Sequence, residues 1–123
     1  MTALVARAQE AGLSVELALE GDPRPLPSGV DLSAYRIVQE ALTNAFRHAG
    51  PAHTVVRVCY GADALEVQVI DDGRGAAANP APVGGGNGLV GMRERVALFS
   101  GDLRAGPRAG GGYEVKARLP LST

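Results

Sequence analysis

Leu65-Glu66-Val67-Gln68-Val69-Ile70 runs straight into Asp71-Asp72-Gly73-Arg74-Gly75. Its first half alternates apolar and polar residues, which predicts a strand over 64–70. Its second half sets an aspartate at the strand's end and glycines at alternate positions beyond it. Upstream, residues 53–60 predict another strand, and Gly61-Ala62-Asp63 leaves only a tight turn between the two. A glycine box reached through a hairpin is not the box of a strand–helix–strand unit. A doubly wound dinucleotide fold is therefore excluded.

Working outward, residues 3–11 carry a short helical pattern stopped at Gly12, and residues 13–19 alternate as a strand. Gly21 to Gly29 holds prolines at 23, 25 and 27, a stiff extended connection. Asp31 is read as the cap of a long helix to about His48, ended by Gly50-Pro51. After the hairpin, residues 73–88 are rich in Gly, Ala, Pro and Asn and predict a loop. Leu89 to Ser100 reads as a helix with apolar residues at Leu89, Met92, Val96 and Phe99. Two last strands, about 102–106 and 112–119, flank a Gly/Pro turn. Neighbouring strands with short links pair antiparallel, and helices gather on one face. The expected class is α+β: a two-layer α/β sandwich with a mixed, mostly antiparallel sheet and about three helices on one face, in a single domain over 1–123.

Composition narrows the function. A net charge of −1 supplies no broad basic field for nucleic acid. The single cysteine, Cys59, rules out an internal disulfide and a cysteine zinc site, and its apolar run suggests a packing role. No stretch reaches the roughly 20 apolar residues of a membrane span, and the amino end lacks a signal-peptide pattern. A cytoplasmic setting without direct membrane contact is expected. His53 reads as a strand-end surface residue.

The long helix carries one unusual stripe. At about 100° per residue, with Glu40 at zero, Asn44 falls near 40°, Arg47 near −20° and His48 near 80°. Tyr35, Val38, Leu42, Ala45 and Phe46 occupy the opposite face. Any amphipathic helix has a solvated stripe, but here a carboxylate, an amide and two cationic or ring donors stand together without lysine–glutamate laddering. A carboxylate can hold a hydroxyl or water as a base. An amide oxygen suits Mg²⁺, and Arg47 with His48 can donate to phosphate.

The two glycine boxes extend that chemistry. Asp71 can accept a hydrogen bond from an amino group while the glycines let a flat ring approach the backbone. Adenine offers the amino group; guanine would set a carbonyl against the carboxylate, a mismatch of about 1–3 kcal/mol. A plain Asp-Gly turn is the alternative reading of this box alone. Gly84-Gly-Gly86-Asn87-Gly88-Leu89-Val90-Gly91 then feeds a helix amino end, where free N–H groups favour phosphate.

Taken together, YRIVQEALTNAFRHA at 35–49, DDGRG at 71–75 and GNGLVGMRERVALFSGDL at 86–103 resemble the GHKL (Bergerat-fold) ATPases. Within them the likeness is to bacterial sensor histidine kinases that partner LuxR-type response regulators, and it runs through the closing GGGYEVKARLPL at 110–121. The resemblance implies ATP and Mg²⁺ as ligands. It implies that Asn44 coordinates Mg²⁺ and that Glu40 orients or deprotonates the attacking group. Arg47 and His48 would contact phosphates or ribose. Asp71 would bind the adenine amino group in a pocket shaped by Gly73 and Gly75. Residues 76–87 would form an ATP lid, with Gly86, Gly88, Leu89 and Gly91 at its hinge and phosphate loop. Two residues depart from the pattern: Asn87 stands where close relatives carry histidine, and Tyr113 where many carry threonine.

The resemblance also implies partners. The phosphoacceptor histidine would lie on a dimerisation hairpin absent from these residues, so the chain is expected to bind nucleotide, hardly autophosphorylate and remain a monomer. A response regulator would follow in the intact system, which is cytoplasmic or the cytosolic part of a membrane-anchored kinase. A free-standing serine kinase of the anti-sigma-factor type, or a non-catalytic ATP-sensing module, would share the pocket.

Overall fold

The computed structural model describes residues 2–22, 25–48, 53–72, 91, 93–94, 96–98, 100–108 and 112–121, side chains at 44, 46–48 and 107 excepted. In chain order the described elements are α1 (Thr2–Glu10), β1 (Ser14–Gly21), α2 (Ser28–His48), β2 (His53–Tyr60), β3 (Ala64–Asp71), β4 (Asp102–Pro107) and β5 (Tyr113–Pro120). Positions 91, 93–94 and 96–97 are also helical, within the expected third helix.

The five strands form one sheet in the order β1-β2-β3-β5-β4. The pairs β2–β3, β3–β5 and β4–β5 are antiparallel, whereas β1 runs parallel to β2. Parallel pairing is possible there because the whole of α2 separates the two strands and carries the chain back to the sheet's starting end. The sheet is mixed and mostly antiparallel, as expected.

Strand alternation sorts the sheet into two faces. Register aligns rows on one of them: Leu17, Val56, Val69, Val115 and Ala105 in one row, Val58, Val67, Ala117 and Leu103 in another, Tyr60, Leu65 and Leu119 in a third. Most of these side chains are buried and belong to the core, where Val56, Val67, Leu65 and Leu119 are fully enclosed. The other face carries Arg57, Glu66, Lys116, Arg118, Asp102 and Arg104, all exposed. Arg57 donates to Glu20 through Nε at 2.9 Å and through a second contact from Nη2. That hydrogen bond, followed by the charge of Glu20, raises the Arg57 pKa further above its already high value. Cys59 is a correction to the sequence reading: it is half-buried on this outer face, because Val58 and Tyr60 take the core side.

The helices cover the apolar face. α1 buries Leu4 and Val5 and packs on β1, with Gln9 Nε2 donating to the Val15 carbonyl at 2.8 Å. It ends in a Schellman cap, Gly12 N–H to Gln9 O and Leu13 N–H to Ala8 O, with Gly12 at φ 100°. α2 lies across β3 and β5 through Val30, Ala34, Ile37, Val38, Ala41, Leu42 and Ala45, a stripe at three- and four-residue spacing. Its start is a second correction. Pro27 O accepts the Asp31 N–H at 2.9 Å, so the helix begins at Ser28 and Asp31 sits in its first turn rather than capping it. The proline's fixed φ and missing N–H suit a helix entrance, and an aspartate one turn inside still meets the positive end of the dipole.

Candidate nucleotide site

Asp71 ends β3 on the helix-covered face and is only 6 % exposed. Alternation forces this placement: Val69, Val67 and Leu65 are the buried residues two, four and six positions before it. In register it faces Thr54 of β2 on one side and Tyr113 of β5 on the other. The residue after it is tied down as well. Asp72 N–H donates to the His53 carbonyl at 3.1 Å, while the Asp72 carboxylate accepts the His53 N–H at 2.8 Å. The doubled aspartate thus divides its work: one carboxylate turns to the interior and the other clasps the entrance of β2. The sequence reading singled out Asp71 but did not foresee the clasp that Asp72 makes with His53.

His53 is an exposed strand-end residue, as expected. Its Nδ1 shares a hydrogen bond with Ser14 Oγ and its Nε2 with Glu16, both at 2.8 Å, bracing β1 against β2.

Gly112 completes this end of the sheet. At φ 92°, it lies so close to β3 that an added Cβ would overlap the Asp71 carbonyl oxygen and stand 3.0 Å from its carbon. Only glycine permits both this conformation and this approach. Its carbonyl accepts the Arg108 N–H at 3.0 Å. Gly112 therefore shapes the backbone carrying Asp71, a role that the sequence reading missed.

Glu40 is half-buried at the border of the α2 stripe that packs on β3 and β5. Asn44, Arg47 and His48 are in the same helix, at positions that share the Glu40 side. Gly91 is exposed and helical, and an added Cβ there would meet nothing within 4 Å. Glycine inside a helix costs about 1 kcal/mol relative to alanine. No packing contact among the described residues accounts for that cost. Gly73, Gly75, Gly86, Gly88 and Leu89, together with the expected lid at 76–87, lie outside the described residues. So do Asn87 and the Gly50-Pro51 helix stop.

Residues 29–123 match the family model described as "Histidine kinase-, DNA gyrase B-, and HSP90-like ATPase". The chain belongs to this ATPase family. Among its relatives is the sensor histidine kinase LnrJ of Bacillus subtilis, 35 % identical over 114 residues, which cover 93 % of this chain and 28 % of that protein. The sensor histidine kinase YxjM of the same organism is 34 % identical over 116 residues, 94 % of this chain and 28 % of its own length. The chain thus spans a little over a quarter of these curated relatives. The histidine kinase domain of the blue-light activated kinase from Erythrobacter litoralis EL346 superposes with a TM-score of 0.66 at 26 % identity, covering 98 % of this chain and 57 % of that one. The Acinetobacter baumannii kinase AdeS shares the fold, with a TM-score of 0.73 at 15 % identity over 99 % of this chain and 65 % of its own. The two-layer arrangement of this ATPase chain is therefore that of histidine kinase ATP-binding domains.

Proposed function

We propose that residues 1–123 form one ATP- and Mg²⁺-binding catalytic domain of a sensor histidine kinase, which transfers the ATP γ-phosphoryl to a histidine on a helical hairpin outside these residues. The observation that carries this reading is the buried Asp71 carboxylate at the end of β3, on the face crossed by α2, in a chain of the ATPase family. A carboxylate accepts hydrogen bonds and cannot donate them while ionised, so it pairs with an adenine amino group and rejects a guanine carbonyl.

The remaining roles follow from chemistry and position. Asn44 holds Mg²⁺ one helical turn beyond Glu40. A neutral oxygen beside a carboxylate suits an ion that takes few protein ligands and completes its shell with phosphate and water. The ion offsets phosphate charge when bound. Glu40 orients the attacking histidine nitrogen or removes its proton. Arg47 and His48 donate to phosphate or ribose. Gly73 and Gly75 admit the ring, and Gly86, Gly88, Leu89 and Gly91 form the phosphate loop and lid hinge. Catalysis by such a site is mainly positioning and charge stabilisation.

The intact protein would pass the phosphoryl group to a response regulator of the LuxR type and would place this domain in the cytosol. Among the described residues no helix is long and apolar enough to cross a membrane. The sensor-kinase relatives favour this reading over a free-standing serine kinase.

The test is transfer of labelled phosphate from ATP to a separately supplied phosphoacceptor hairpin of a sensor kinase. Glu40→Gln is expected to lower the transfer rate about 100-fold or more while leaving ATP affinity within about twofold. Transfer at the wild-type rate would remove Glu40 from the chemistry.

A further inference from the structure

Thr54 is the second residue of β2, fully enclosed at 0 % exposure, and its Oγ1 has no hydrogen-bond partner among the described residues. A hydroxyl buried in this way is normally paired. Nothing among the described residues requires one here. Val56 and Val58 continue the same face of β2 at 0 % and 2 % exposure, and valine has nearly the same shape as threonine. The hydroxyl therefore stands in one place only, the row that contains Asp71.

Register makes Thr54 and Asp71 direct cross-strand neighbours on the covered face. Such pairs hold their Cβ atoms roughly 5 Å apart, so a small side-chain rotation brings a hydroxyl and a carboxylate into contact. The chemistry is complementary: the hydroxyl has a proton to donate, and an ionised carboxylate has two oxygens that accept several donors. One Asp71 oxygen can receive the nucleotide's amino group while the other receives Thr54.

We propose that Thr54 is a positioning residue for Asp71. When ATP binds, the Thr54 hydroxyl donates to the carboxylate and fixes the orientation in which its other oxygen meets the base. Tyr113, the register neighbour on the opposite side of Asp71, is half-buried and packs against the core. The inference rests on the reading of Asp71 as the adenine acceptor.

The test is a double-mutant cycle read by calorimetric titration with ATP, accompanied by the melting temperature of each nucleotide-free variant. Thr54→Val is expected to weaken ATP binding about five- to tenfold while the nucleotide-free melting temperature stays level or rises, since an unpaired hydroxyl has been removed. Thr54→Ser keeps the donor and is expected to bind within about twofold of wild type, as is Tyr113→Phe. In an Asp71→Asn background, Thr54→Val is expected to add little further loss. An unchanged affinity in Thr54→Val, or an equal loss with and without Asp71, would overturn the positioning role. An unchanged affinity in Asp71→Asn alone would instead overturn the reading of Asp71.

Discussion

At the scale of single residues, the site depends on how closely the backbone carrying Asp71 is held. Asp72 clasps the start of β2 and Gly112 presses on the Asp71 carbonyl. Gly112→Ala must therefore move β5 away from β3 and also adopt a strained φ. It is expected to cost about 2–3 kcal/mol, seen as a lower urea midpoint, and to weaken ATP binding with it. Gly106→Ala in β4 is the control: its added Cβ meets nothing within 4 Å, so its midpoint should move by less than about 0.5 kcal/mol. Equal effects at the two positions would deny Gly112 its role. The candidate carboxylates were legible because they sit at a strand end and on a helix stripe. Thr54 and Gly112 were not: a threonine in a strand and a glycine in a glycine run look ordinary until register shows which residue they face.

At the scale of elements, the strands emerged from alternation to within a residue or two, because a sheet with one covered face enforces a period of two along each strand. Pairing was harder to read. β1 proved parallel to β2, since the length of the intervening helix, not the spacing of the strands, sets direction there. The start of α2 was misread for a related reason: an aspartate in the first turn and an aspartate cap look alike in sequence, and only the Asp31–Pro27 bond distinguishes them. The end of the third helix offers a test of capping. Ser100 N–H bonds to Ala97 O and Gly101 N–H to Val96 O, a Schellman cap whose left-handed position is held by Ser100 at φ 60°. Glycine tolerates that conformation better than serine. Ser100→Gly is expected to stabilise the domain by about 0.5–1 kcal/mol, a rise of about 2–4 °C in thermal melting. A fall in melting temperature would mean that the serine side chain has a role that its backbone geometry does not reveal.

At the scale of the whole molecule, one sheet face is buried by helices and the other carries exposed charge, so the proposed site falls where the covered face meets the helix layer. The core is aliphatic and continuous from α1 to β5. The proposed function turns on adenine binding by Asp71, which ends β3 on the helix-covered face. Its most direct test is calorimetric titration of the chain with ATP, ADP and GTP in the presence of Mg²⁺, repeated on Asp71→Asn. Both adenine nucleotides are expected to bind, GTP at least tenfold more weakly, and the variant is expected to lose about tenfold in ATP affinity. Equal binding of ATP and GTP, or an Asp71→Asn variant that binds ATP as well as the wild type, would contradict it.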